Sequence, residues 1–343
     1  MNIQRPTVSV IIPCYNRAQQ LSRAIDSVLN QTVQPLEVIV IDDGSSDDSA
    51  ETARSFSHPV SVYEQANAGA AAARNRGIKL AKGGWIAFLD SDDIWHKNKI
   101  ERQLQALENS PKAGLIFTDT QTVRGAEVIM PSRFALGGLR ENADSVGNSI
   151  LRCQRNFFEI MLTQSRVITS ATMVRRDLPD FVFPEEIWGS EDWALWLSLI
   201  LETEFLAVDE VLVTMESASD NLTHCRGRGK LHRNDVLVLE KLMNDSRLAA
   251  CDIIAITKAL EQRRAVAIYH SLIRGENREA REILRQRCGL SRAKRLQYLA
   301  LSHVPSSLLR LFGQKKIVEA NNDARQTEPQ HDFPPKKQLS AHQ

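Results

Sequence analysis

This sequence has no C-x-x-C pair, no run of about 18 apolar residues and no G-x-G-x-x-G after any apolar segment. Each absence removes a class of protein. The five cysteines, Cys14, Cys153, Cys225, Cys251 and Cys288, are scattered and odd in number, which argues against a disulfide framework or a zinc site. A reducing compartment, the cytoplasm, is expected. The most apolar stretch, Ala194 to Val213, is interrupted by Glu202, Glu204, Asp209 and Glu210, so no transmembrane helix is expected. The first apolar run has the length of a strand and is too short for a signal peptide. Without the glycine fingerprint, an NAD-dependent dehydrogenase is disfavoured. Glycine (16) and proline (12) are few for 343 residues, and with 43% hydrophobic and 25% charged residues the composition is that of a globular chain.

Net charge is nearly absent as well, at +1 from 43 Lys+Arg and 42 Asp+Glu, but the charges are unevenly placed. Residues 1–219 hold 20 basic and 29 acidic residues, residues 220–320 hold 20 and 10, and the last 23 residues carry three of each. The pattern predicts an acidic domain over 1–219, a basic helical region over 220–314 and a disordered Gln-, Lys- and Pro-rich tail over 315–343. The basic region points to an anionic partner. Nucleic acid is not among the partners expected.

The run Val8 to Ile12 is apolar and β-branched apart from Ser9, as a strand buried on both faces would be. Val38–Ile41, Val60–Tyr63 and Trp85–Leu89 read as further strands, with helical periodicity after each. Four strand-then-helix units predict an α/β fold with a mostly parallel sheet and helices on both faces. Gly114–Thr118, Val167–Val174 and Phe205–Val213 read as later strands, Glu191–Leu201 as a helix, and 119–144 as irregular. From about Leu231 the pattern is helical and Arg-rich.

Polar clusters fall at the strand ends, where open α/β sheets bind ligands. Pro13-Cys14-Tyr15-Asn16 follows the first strand, and Tyr15 offers a ring on which a base can stack. Asp42-Asp43-Gly44-Ser45 follows the second; taken alone, its plainer reading is a turn and helix start. Asn67 to Gly77 places Gly69 at a helix start and Arg74 farther in, a pattern suited to phosphate. Asp90, Asp92 and Asp93 crowd three carboxylates into four residues, a hard-oxygen set suited to Mg2+ or Mn2+. The plainer reading is that Asp92 or Asp93 caps a helix running from Trp95 to Asn109. Glu191-Asp192-Trp193 sets two carboxylates beside an aromatic, and burial against Trp193 would raise the proton affinity of a general base. Its plainer reading is acidic charge at a helix N-terminus.

Together these segments resemble the ordered motifs of family 2 glycosyltransferases, inverting enzymes with the GT-A fold. The resemblance is strongest over residues 6–120 and extends to about 215. It implies that Pro13, Tyr15 and Asp43 hold the nucleotide base and that Arg74 lies near the diphosphate. Asn16, Asn67, Gly69 and Ser91 belong to the same donor-binding motifs. It further implies that Asp90, Asp92 and Asp93 form the D-x-D element, binding ribose and a metal, and that Asp192, with Glu191 beside it, is the catalytic base. The implied reaction is hexosyl or N-acetylhexosaminyl transfer from a nucleotide sugar, a UDP-sugar first among them, to an acceptor hydroxyl, with Mn2+ or Mg2+ as cofactor. The implied setting is cell-surface polysaccharide assembly on a glycan or lipid-linked acceptor.

His224 is a candidate third metal ligand, and Trp188, Trp193 and Trp196 are candidate sugar-pocket residues. Ile283, Leu284, Leu296, Leu299 and Leu301, interleaved with Arg281, Arg285, Arg287, Arg292, Lys294 and Arg295, suit either an anionic membrane surface or packing on the acidic domain. A sugar-phosphate nucleotidyltransferase is disfavoured because Pro13 to Arg17 holds no glycine. A catalytically silent nucleotide-sugar-binding scaffold is the alternative from another class.

Overall fold

The computed structural model describes residues 6–108, 110–163, 165–217, 228–285, 292–304 and 306. Its first half alternates strands and helices: Val8–Cys14 (β1), Ala18–Leu29 (α1), Glu37–Asp42 (β2), Ser49–Arg54 (α2), Val60–Glu64 (β3), Ala70–Leu80 (α3) and Trp85–Phe88 (β4). Ile94–Trp95 (β5), Lys99–Ala106 (α4), Leu115–Arg124 (β6), Glu127–Met130 (β7), Leu139–Asn142 (α5), Asp144–Gly147 (β8), Ile150–Cys153 (β9) and Asn156–Thr163 (α6) follow. Thr172–Arg175 (β10), Glu191–Glu202 (α7) and Phe205–Glu216 (β11) complete the sheet. Arg228–Leu242 (α8), Ala250–Arg274 (α9), Asn277–Arg285 (α10) and Arg292–Leu301 (α11) are helical, as the periodicity predicts.

All strands join one sheet with the path β3-β2-β1-β4-β10-β6-β11-β9-β8, and β5 and β7 pair with β11 and β6. From β3 to β11, six of the seven strands on this path point one way and only β10 is reversed. Alternate residues of β1 face opposite layers, as a pleated strand requires. Ile11 packs in one apolar layer with residues of α3, α6 and α7, while Val10 and Ile12 pack in the other with residues of α1 and α4. In α1 the buried residues Leu21, Ala24, Ile25 and Val28 form one stripe at helical spacing. Helices therefore cover both faces.

The helical region builds on this domain. Val236, Leu239 and Leu242 of α8 and Ile256 and Leu260 of α9 share the apolar layer of α6 and α7. Arg247 pairs with Glu202 at 3.2 Å, and Lys241 with Glu186. Packing on the acidic domain thus accounts for part of the basic charge. The rest of α9, with α10 and α11, forms a separate small core. The boundary expected at 219 and the tail 315–343 lie outside the described residues, as do His224 and Arg287.

Several expectations need correction. The helix expected from Trp95 begins at Lys99, with Asn98 as its cap, because Ile94–Trp95 pairs with β11; neither Asp92 nor Asp93 caps it. The stretch 119–144 is not irregular: β6 runs on to Arg124, and β7 and α5 follow. Only Thr172–Arg175 of the Val167–Val174 run is strand, preceded by a tight 3-10 turn at Thr169–Ala171. Ile283 and Leu284 are buried in the small core, which leaves Leu296 and Leu299 as the exposed leucines of that set.

Candidate active site

The ends of β1 and β2 are tied together by side chains. Pro13 is buried opposite Ile41, while Tyr15, one residue beyond β1, is 48% exposed. Asn16 adopts φ +52°, and its Oδ1 accepts from the Ser46 N–H at 2.8 Å, fixing the rim between the two strands. Asp43 is buried, and its carboxylate accepts from Gln65 Nε2 (2.8 Å), the Ala68 N–H (2.9 Å) and the Gly69 N–H (2.7 Å). It thereby anchors the loop that carries exposed Asn67 to the start of α3. Gly44 has φ +77°, and a Cβ there would lie 3.0 Å from the Asn67 nitrogen, so this turn requires glycine. Gly69 has φ +93° and open space around it.

Arg74 connects the two acidic motifs. It is 6% exposed, and its Nη2 donates to Asp90 at 2.7 Å while Nη1 donates to Glu191 at 3.0 Å. Burial would lower its pKa, but Asp90, Glu191 and Asp192 outweigh that and keep the guanidinium charged. The expected position near a diphosphate is thus filled by an arginine already paired with two carboxylates.

Asp192 lies in the first turn of α7. Its Oδ2 accepts from the Thr169 hydroxyl at 3.0 Å, and its Oδ1 from the Trp193 N–H at 2.6 Å. Burial, then Glu191, pushes its pKa up from 3.8 to about 6, with Arg74 opposing. A carboxyl titrating there suits a general base near neutral pH. Trp193 contributes differently from the expectation: it is buried in the core, and its Nε1 donates to the Met161 carbonyl at 2.7 Å. Trp196 is fully buried too, so neither lines a sugar pocket; Trp188 is half-buried.

The remaining acidic residues surround the Thr169 turn. Ser91 is buried, Asp90 and Asp92 are half-buried, and Asp93 is 4% exposed. Ser170 donates its hydroxyl to Asp93 at 2.5 Å, accepts from the Asp90 N–H at 3.0 Å, and its carbonyl accepts from Trp95 Nε1 at 2.7 Å. Burial, then Asp90 and Asp92, raises the Asp93 pKa well above the usual carboxylate range. Positive charge is short here, and the oxygen-only donor set fits a hard divalent cation. Among the described residues, no group of three His, Cys, Asp or Glu converges to hold an ion unaided, so a bound ion would need further oxygens. Thr169 and Ser170, adjacent in sequence, join base to D-x-D segment, and no motif marks them beforehand.

Known proteins resemble this chain in sequence and in fold. Residues 9–181 match the family described as Glycosyl transferase family 2. An uncharacterized glycosyltransferase of Rickettsia bellii is 33% identical over 245 residues, covering 71% of this chain and 33% of the relative. One from Nostoc sp. is 28% identical over 232 residues, covering 65% of each. The chain thus spans about a third of the length of the Rickettsia relatives it matches. S. aureus TarS 1-349 in complex with UDP-GlcNAc shares the fold, with a TM-score of 0.62 at 16% identity over 94% of this chain and 89% of that one.

Proposed function

This chain belongs to glycosyltransferase family 2, and on that basis we propose that it is an inverting glycosyltransferase that moves a hexosyl or N-acetylhexosaminyl unit from a nucleotide sugar to an acceptor hydroxyl. The observation that carries the reading is the single cluster of Arg74, Asp90, Glu191 and Asp192, which brings a carboxyl with a pKa of about 6 beside the acidic strand end. Asp192 takes the acceptor proton, and Glu191 keeps its proton affinity high through like charge. Pro13, Tyr15, Asn16, Asp43, Asn67, Gly69 and Ser91 shape the donor site, and Arg74 fixes Asp90 and Glu191 in place. Asp92 and Asp93 would hold Mn2+ or Mg2+, which when bound supplies positive charge to the leaving diphosphate, while Asp90 serves the donor side. Asp93 acts from behind, braced by Ser170.

UDP-sugars are the first donors to test, because the S. aureus neighbour carries UDP-GlcNAc. The acceptor we propose is a glycan or lipid-linked sugar of cell-surface polysaccharide. On α11, Leu296 and Leu299 are exposed beside Arg292 and Arg295, which supports contact with an anionic membrane presenting such an acceptor. Among the described residues, no helix is long and apolar enough to cross a membrane. Vesicles rich in anionic lipid should pellet the protein at low salt, and Leu296→Asp should abolish that.

Nucleoside diphosphate release, with Mn2+ and with chelator, in wild type and Asp192→Asn, tests the central reading. Release should require the cation and fall roughly 10²- to 10⁴-fold in the variant. Equal release from both proteins removes Asp192 from the role, and no release from any UDP-sugar by wild type favours a silent scaffold.

A further inference from the structure

Two arginines near the base take no part in the donor site described above. Arg166, just ahead of the Thr169 turn, is 3% exposed; its Nη2 reaches the Leu136 carbonyl at 3.4 Å, while Nε and Nη1 are buried without partners. Arg133 precedes the 3-10 turn Phe134–Leu136, and its Nε is likewise buried without a partner. Its backbone N–H is held by Asp119 at 2.9 Å, so β6 fixes where it stands. Burial, then repulsion from Arg166, lowers the Arg133 pKa, while Asp119, Asp192 and Asp93 act in the other direction. Because Arg166 reaches the carbonyl of Leu136, in the turn that Arg133 opens, the two side chains meet at one turn, within the field of the base and of the D-x-D segment.

Arg74 offers a contrast: its Nε is also without a partner, but two carboxylates pair with its Nη1 and Nη2. Arg133 and Arg166 make no such ion pair among the described residues; Glu141 acts on Arg166, and Asp119 on Arg133, without pairing with either. Two like charges held together, Arg166 buried and Arg133 half-buried, with hydrogen bonds unmade on both, are costly unless an anion sits between them. The guanidinium fork fits the oxygens of phosphate or carboxylate. Sheet order then places the pair relative to the substrates. Arg133 is tied to β6 by its backbone N–H on Asp119, and Arg166 leads into β10, so both stand beyond β4 and away from the β1-β2-β3 side where Pro13, Asp43 and Gly69 gather. The side of Asp192 that they occupy is the one opposite the expected nucleotide.

We propose that Arg133 and Arg166 form an anion subsite that receives a phosphate or carboxylate group carried by the acceptor. This rests on the transfer reading above and specifies the acceptor's chemistry: a charged group close to the hydroxyl that Asp192 deprotonates. Such an acceptor is a sugar phosphate, a phosphodiester-linked glycan or a uronic acid, and a neutral sugar would leave both guanidinium groups unpaired.

The test uses the full chain with UDP and Mg2+ saturating, so that the donor site is filled. Binding of inorganic phosphate and, in a parallel arm, of acetate is measured by thermal-shift titration for wild type, Arg133→Gln, Arg166→Gln and Arg166→Met. Wild type should bind one of the two anions, and each variant should bind it roughly tenfold more weakly. UDP affinity should stay within about twofold of wild type. A response to phosphate identifies a phosphate-bearing acceptor, and a response to acetate a carboxylate-bearing one. Arg166→Met keeps an apolar stem without the buried charge, so it should unfold no lower than wild type in the absence of anion while losing the anion response. No anion response in wild type, or an undiminished response in the variants, overturns the subsite. So does a loss of UDP affinity matching the loss of anion affinity, which would assign the pair to the donor. Should UDP fail to bind wild type, the donor reading falls, and the same anion titration without UDP still decides the subsite.

Discussion

Replacing Asp192 with asparagine should damage catalysis and strengthen the fold, and the second effect can be sized. In place, the carboxyl titrates at about 6 against an ordinary 3.8, chiefly because it is buried. Between those two values the folded chain keeps a proton that the unfolded chain has released, so stability falls as pH rises through the window. At roughly 1.4 kcal/mol per pH unit, the gap amounts to about 3 kcal/mol, lost in full once the pH exceeds the folded value. Asparagine has the same shape, its Oδ1 can still accept from the Trp193 N–H while its Nδ2 donates to the Thr169 hydroxyl oxygen, and it has no proton to lose. The variant should therefore exceed wild type by about 3 kcal/mol at about pH 7.5, with the advantage vanishing near pH 4. For a cooperative unit of this size that is an increase of about 5 °C in Tm. Urea unfolding followed by circular dichroism, at fixed ionic strength and without divalent cation, measures both proteins across that range. A stability difference that is the same at both ends would refute the reasoning, since it would mean that Asp192 titrates like an exposed aspartate.

Arg74→Ala leaves Asp90 and Glu191 facing each other without the cation between them; unfolding should show a loss of about 3–5 kcal/mol. Because Arg74 also holds the Asp192 pKa down, the acidic limb of the pH–rate profile should move above 6 in that variant. Thr169→Val removes the hydroxyl that favours ionised Asp192, so its pH–rate limb should rise as well, and Thr169→Ser should restore it. Gly44→Ala forces a side chain onto φ +77° and against the Asn67 nitrogen; a cost of about 1–2 kcal/mol and weaker UDP binding in a fluorescence titration are expected.

How much of this was legible in the sequence depended on burial. Strands β1, β2 and β4 are enclosed on both faces, so they read as apolar runs and were found within a residue or two. The outer half of β6 and strands β7 and β8 are half-exposed and carry Thr, Gln, Glu and Arg, a pattern that imitates loop. The carboxylates at the strand ends were visible because strand ends are where such sheets hold ligands. Trp193 was misplaced in a sugar pocket because consecutive helical residues point about 100° apart, so it enters the core while Asp192 beside it stays half-buried. Thr169, Ser170, Arg133 and Arg166 carry no motif. Their meaning arises only from the register of β10 against β4 and β6, which one-dimensional spacing does not encode.

The reversal of β10 has a consequence for how this protein could change its substrates. Its parallel neighbours arrive at the catalytic rim by their final residues, whereas β10 departs from that rim by its first, just after Thr169. The chain from the end of β6 to Thr169 therefore leaves the rim and comes back to it, pinned at both points, and none of the β1-to-β4 half runs through it. Its exposed turns can be lengthened, shortened or rewritten to alter what stands opposite Asp192, whereas β9, paired with β11, and α6, whose Met161 carbonyl accepts from Trp193 beside the base, have to be kept.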